Sequence, residues 1–245
     1  MLALSRVRKL FRGAPVLDGI ELTIRRGETW GLCGPGASGK SVLLKVMCGL
    51  LRSDGGNVRI AGVPIEQADE PTLMGLRARF GMLFQNNALF DFMTVGDNVA
   101  FPLTRRGGVD PEEIRSRVAD RLRAVGLAGS ENRFPSELSG GMRKRVGIAR
   151  AVIARPDILI YDEPTAGLDP VTTSKIYDLL LREREETGAT VVVVSSDLPP
   201  LLRFAPRIAM IYRGQLHYDG PSSEAADAPD PIVRQFLRGE VEGPL

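Results

Sequence analysis

The stretch Gly34-Pro35-Gly36-Ala37-Ser38-Gly39-Lys40-Ser41 constrains this chain more than any other feature. It fits G-x-x-x-x-G-K-[ST]. It lies between an apolar run, Thr29–Cys33, that reads as a short buried strand, and Ser41–Leu50, which reads as a helix closed near Gly49. The strand–loop–helix frame is what the motif's mechanism needs. Glycines let the backbone wrap a phosphate chain with its N–H groups, and the helix directs its positive end at the same charge. In such a loop Lys40 reaches the outer phosphates and the Ser41 hydroxyl ligates Mg²⁺.

The flanking segments predict an α/β fold. Ile20, Leu22 and Ile24 are spaced by two, and Val58 and Ile60 repeat this after the turn at Asp54-Gly55-Gly56. Phe80–Phe84 is a further apolar strand. Asp110 caps a predicted helix with Pro111 at its first position, and Ile114, Val118, Leu122 and Val125 form its inward face up to Gly126. A second helix is expected from Gly140 to Ala154. The strand-then-helix rhythm returns with Ile158–Tyr161, a helix over Val171–Glu186, Thr190–Ser195 and Arg207–Tyr212, with a hairpin at Arg213-Gly214. The reading is a parallel core with an N-terminal antiparallel β-subdomain and an inserted α-helical subdomain. The core covers 1–86 and 156–225, the insert 87–155, and a tail 226–245.

Composition narrows the function. A net charge of +2 over 245 residues provides no basic face for nucleic acid. No apolar run approaches the roughly 20 residues that span a bilayer. The first residues, MLALSRVRKLFRG, lack the apolar stretch and cleavage site of a signal peptide. Cys33 and Cys48 make neither a zinc site nor a disulfide framework. The expectation is a cytoplasmic chain that meets a membrane only through partners.

A second acidic element complements the phosphate loop. Ile158–Tyr161 runs into Asp162 and Glu163 at the strand end. Asp162 is placed to act on Mg²⁺, and Glu163 to orient or deprotonate an attacking water. Shortly before it stands Leu138-Ser139-Gly140-Gly141-Met142, where Ser139 alone would read as an ordinary helix cap. With this order and spacing, the chain resembles ATP-binding-cassette (ABC) ATPases over essentially its whole length.

That resemblance implies a P-loop NTPase core of ABC type that binds ATP and Mg²⁺ in a head-to-tail dimer. It implies that Ser139, Gly140 and Gly141 contact the γ-phosphate of ATP held by the opposite subunit. Gln85 is similar to the glutamine that touches Mg²⁺ and links core to insert. Asp169, in Ala166-Gly167-Leu168-Asp169, resembles the loop that crosses the dimer interface. Phe11 takes the place of the aromatic that stacks on adenine. One position departs from the pattern: Ser196 falls where the family carries a γ-phosphate-contacting histidine. The sole histidine, His217, reads as an exposed residue of the late hairpin. Binding is therefore expected to be kept and turnover reduced or rescued by a neighbouring residue, with a nucleotide-gated clamp of weak turnover as the alternative.

Leu83–Asp91, Met93-Thr94-Val95, Gly140–Val146 and the tail Val233–Gly239 are similar to ATPase subunits of Mla/MCE-type lipid transporters. This resemblance implies phospholipids or related lipids as cargo, with amino-acid importers as the alternative. It implies a second ATPase subunit, an integral membrane permease, an MCE-type substrate-binding protein and a STAS-domain regulator as partners.

Overall fold

Strands β1 (Leu2–Phe11) and β2 (Ala14–Ile24) pair antiparallel, with Leu2 opposite Ile24 and Leu4 opposite Leu22. The predicted alternation holds, because Ile20, Leu22 and Ile24 are all buried. The computed structural model describes residues 1–245, which divide into two compact units: Met1–Arg77 with Thr190–Leu245, and Ala78–Ala189.

In the first unit β3 (Thr29–Cys33) is buried at all five positions and leads into α1 (Lys40–Met47). β4 (Gly55–Ile60) joins the other edge of β1 antiparallel, and the two-residue β5 (Val63–Pro64) completes that sheet. Helix α2 (Glu70–Arg77) closes this segment.

The second unit opens with β6 (Phe80–Leu83), followed by α3 (Val95–Arg106), α4 (Pro111–Ala124) and α5 (Gly140–Val152). Then come β7 (Ile158–Asp162), parallel to β6, and α6 (Pro170–Thr187). The Asp110 cap forms as expected, its carboxylate accepting from the Glu112 amide at 2.8 Å. Val118, Leu122 and Val125 are buried, while Ile114 is only half-buried.

Helix α3 runs against its local sequence signal, since Pro102 in its interior is a helix breaker. It holds because Val95, Val99 and Leu103 bury one stripe. Thr94 also caps it reciprocally with Asp97, and the buried Asn98 side chain bonds backbone at Phe90, Met93 and Thr94. Helix α5 lies directly on β6. A Cβ at Gly81 would stand 2.0 Å from the Ala151 carbonyl oxygen, so only glycine permits that approach.

The first unit is completed by β8 (Thr190–Val194), α7 (Leu198–Phe204), β9 (Arg207–Tyr212), β10 (Gln215–Pro221) and α8 (Pro231–Arg238). β3 lies between β8 and β9, parallel to both, and β10 returns antiparallel on β9. The four consecutive valines of β8 are fully buried, each such side chain contributing about 1.5–3 kcal/mol relative to exposure. The two-residue turn of the β9–β10 hairpin has positive φ at Arg213 and Gly214, as a tight hairpin turn requires. His217 is not the exposed residue expected. Its Nδ1 stands 2.8 Å from an Asp230 carboxylate oxygen, and Asp230 also caps α8 through the Ile232 amide.

Candidate functional site

The phosphate loop is built in the first unit, between β3 and α1. Gly34 has φ +143°, and a Cβ there would lie 2.0 Å from the Ile211 carbonyl oxygen. The loop closes on itself through the Ser38 amide, which donates to Pro35, and it is held to the β9–β10 turn by the Gly214 amide donating to Ser38. Lys40 Nζ donates to the Gly34 and Pro35 carbonyls at 2.7 and 2.8 Å, so the ammonium sits inside the curve of the loop. Gly36, Ala37 and Ser41 are exposed. The first amides of α1 have no intrahelical acceptor by helix geometry, which suits them to an anion. These features suit a triphosphate with its Mg²⁺: an open curve of backbone, one cation and one exposed hydroxyl.

Two other predicted residues lie in this unit. Phe11 ends β1 and is 46% exposed, with Lys9 Nζ 5.8 Å from its ring centroid. Ser196 is exposed just beyond β8. The buried Ser195 beside it accepts from the Asp197 amide at 3.1 Å and fixes the turn that presents Ser196. Burial pushes the Cys33 thiol, at the foot of the loop, up to about 12, with Lys40 pulling weakly the other way.

The remaining predicted residues lie in the second unit. Asp162 ends β7 and Glu163 follows with φ +48°, a left-handed conformation uncommon for a residue with a side chain. Gln85, just after β6, is exposed. Ser139 caps α5, its hydroxyl accepting from the Met142 amide at 3.3 Å, and Gly140 is exposed with no atom nearer than 4.0 Å to a would-be Cβ. Asp169 caps α6 through the Val171 and Thr172 amides, and the Thr172 hydroxyl and amide hold its carboxyl below the usual range. The structure brings these two caps side by side, with Thr172 Cγ2 3.1 Å from the Cβ position of Gly141.

Two further residues of this unit hold these segments, Lys144 within the Gly140–Val146 stretch and Arg150 beyond it. Lys144 Nζ, on α5, donates to the carbonyls of both Gln85, at 2.6 Å, and Glu163, at 3.0 Å. Burial lowers its pKa, with the charges of Asp162 and Glu163 opposing. Arg150, nearly two turns further along, donates to the carbonyls of Asn87 and Ala88 at 2.6 and 2.7 Å. In the sequence neither carries a role of its own, beyond a cation on a largely apolar helix face.

The sequence profile of the ABC transporter family matches residues 17–166. The chain belongs to this family. The ABC cassette is 40% identical over 237 residues to the probable ribonucleotide transport ATP-binding protein mkl of Mycobacterium tuberculosis, covering 97% of this chain and 66% of that one. It therefore spans just under two thirds of the length of that relative. It is 38% identical over 230 residues to the intermembrane phospholipid transport system ATP-binding protein MlaF of Escherichia coli, covering 94% and 86%. Among solved structures, a dimeric ATP-binding cassette in a post-hydrolysis state bound to ADP and Pi superposes with a TM-score of 0.84 at 34% identity, covering 91% and 99%. The expected P-loop fold of ABC type, with N-terminal β-subdomain and helical insertion, is thus the fold observed. As an ABC cassette the chain is of the ATP-binding and ATP-hydrolysing type, with ATP and Mg²⁺ the ligands its phosphate loop is suited to. No helix in it is long and apolar enough to cross a membrane.

Proposed function

We propose that this chain hydrolyses ATP as the energy-coupling subunit of a membrane transporter whose cargo is a phospholipid or related lipid. The observation that carries the ATP reading is Lys40 held inside an open loop, Gly34–Ser41, at the start of α1. The Gly34–Gly39 backbone cradles the phosphates, and Lys40 exchanges its loop carbonyls for phosphate oxygens. Ser41, Asp162 and Gln85 are the residues that would hold Mg²⁺, and the ion would neutralise charge on the outer phosphates. Glu163 orients the attacking water, and Phe11 stacks on the adenine. Ser139, Gly140 and Gly141 complete the site of a second copy, with Asp169 beside them at the same surface. The exposure of Ser139 and Gly140 at a helix N-terminus, aimed outward, supports that role.

Support for lipid cargo comes from the similarity to the phospholipid transport relative over 94% of the chain. It also comes from the Leu83–Asp91 and Gly140–Val146 segments. The name of the mycobacterial relative favours ribonucleotide cargo as the second reading. A permease, an MCE-type substrate-binding protein and a STAS-domain regulator are the partners this reading implies. The test is to purify the chain with the membrane protein it binds and reconstitute both in vesicles. ATP-dependent transfer of a labelled phospholipid between vesicles, abolished by Glu163→Gln, is expected. ATP-dependent uptake of a ribonucleotide without lipid movement would replace the lipid reading by the second one.

A further inference from the structure

Lys144 is an unusual lysine. It is 4% exposed, makes no ion pair within 4.0 Å, and spends its ammonium on two neutral carbonyls. A buried cation without a carboxylate in contact is costly, so a position that only filled space would be better served by an apolar residue. The two carbonyls it joins are 78 positions apart in sequence (Gln85 and Glu163) and belong to the two segments with special duties in the proposed reaction. Both segments need holding. Glu163 has a left-handed backbone, as do Asn87 and Ala88 after Gln85. β6 and β7 pair up to Leu83 and Tyr161, and beyond that pairing Lys144 joins the two segments, while Arg150 takes only the Asn87 and Ala88 carbonyls. Its place on α5, five residues after the Ser139 cap, ties both segments to the helix that presents Ser139–Gly141.

We propose that Lys144 is a positioning residue that locks the Gln85 and Glu163 backbones to α5, so that the glutamine and the carboxylate are held in fixed places relative to each other. The proposal rests on the ATPase reading above for what Gln85 and Glu163 do. Its physical content is two N–H···O=C bonds from one donor, and it makes no use of the charge beyond their strength. A neutral donor of similar length therefore serves, whereas an isosteric apolar chain does not.

The test uses the full chain and three proteins: wild type, Lys144→Met and Lys144→Gln. ATP turnover, thermal unfolding and amide hydrogen exchange are measured on each. In Lys144→Met, kcat falls about 10- to 100-fold while KM for ATP stays within about threefold, because a carboxylate displaced by a fraction of an ångström loses the reaction and not the ligand. Exchange at 85–88 and 163–166 accelerates together. Lys144→Gln, which keeps two donors, restores kcat to within about threefold and restores protection in both segments. If the methionine variant does not fold, Lys144→Ala, which leaves room for water at the two carbonyls, is read in its place. The proposal is overturned by a folded methionine variant with kcat within about twofold of wild type, by equal loss in the glutamine variant, or by a fall in kcat that merely follows loss of stability. A wild type with no turnover above Glu163→Gln would instead defeat the ATPase reading. In that case unchanged exchange at the two segments overturns the bridge, and joint acceleration upholds it.

Discussion

Arg121 of α4 and Glu183 of α6 form an ion pair at 2.9 Å in which the glutamate side chain is only 2% exposed. Arg121 also reaches Glu186 at 3.4 Å, on the exposed side. Burial raises the Glu183 pKa more strongly than Arg121 lowers it. Removing Arg121 strands a buried carboxylate, so Arg121→Met should destabilise the chain by about 3 kcal/mol. With its partner gone, Glu183 holds its proton to higher pH in the folded than in the unfolded chain. The folded state of the variant then binds the extra proton, and its stability falls as pH rises above the ordinary carboxylate range. Urea unfolding at about pH 5 and about pH 8 should show the smaller penalty at the lower pH. A penalty independent of pH would mean that the pair is not what the substitution breaks.

Tyr161 lies in the same unit, fully buried, and its hydroxyl has no hydrogen-bond partner. Burial and the Glu183 charge both raise its pKa. A buried hydroxyl with no partner costs about 1–3 kcal/mol. Tyr161→Phe keeps the ring and removes that cost, so it is expected to stabilise the chain by about 1 kcal/mol in denaturant unfolding, against the usual destabilising effect of core substitutions.

Lys40 is the one ammonium within the phosphate loop, so Lys40→Met should act on nucleotide and barely on folding. Loss of a phosphate-directed donor that strengthens in the transition state lowers turnover by about 10²–10³. Fluorescent-nucleotide binding and phosphate release, read beside the melting temperature, check this. A drop in stability with unaltered nucleotide affinity would contradict it.

Ser196 is exposed at the turn that Ser195 and Asp197 fix. A hydroxyl there is shorter than the imidazole the ABC pattern expects, and a neutral donor stabilises less than a charged one. Ser196→His is expected to raise kcat, by up to about 10², with ATP affinity little changed. Glu163→Gln supplies the background rate. Turnover no faster in the histidine variant would remove position 196 as the limit.

Burial pushes the thiols of Cys33 and Cys48 from about 9 up to about 12. Both stay protonated in the folded chain through about pH 9, and the thiolate is the reactive form. Iodoacetamide at about pH 8 should therefore label neither until the chain unfolds. The folded values lie above the unfolded ones, so the associated stability is complete below about pH 9. It is lost above that, by about 1.4 kcal/mol per pH unit for each thiol. Mass spectrometry of the alkylated chain and unfolding across roughly pH 8 to 10 test the two statements.

Features carried by a few consecutive residues are legible in the amino-acid order itself. The phosphate loop, the Asp110 and Ser139 caps, the Arg213-Gly214 hairpin and the acids ending β7 depend on local spacing and on backbone angles that particular residues accept. Helix α3 is not legible in this way, because its local signal, Pro102, contradicts a stripe whose burial is tertiary. The partner of His217 is hidden for a related reason, since Asp230 is 13 residues away and no spacing rule connects them.

The linear order of residues is thus enough to specify the phosphate loop at 34–41, and the family follows from its combination with Ser139–Gly141 and Asp162-Glu163. How those pieces are held is settled only by packing. Lys144 meets carbonyls 59 and 19 residues away, and Arg121 meets a carboxylate 62 residues away. The physical reason is that a buried charge takes whatever partner the packed chain brings to it. A residue type announces that it needs a partner, and only the folded backbone says which one.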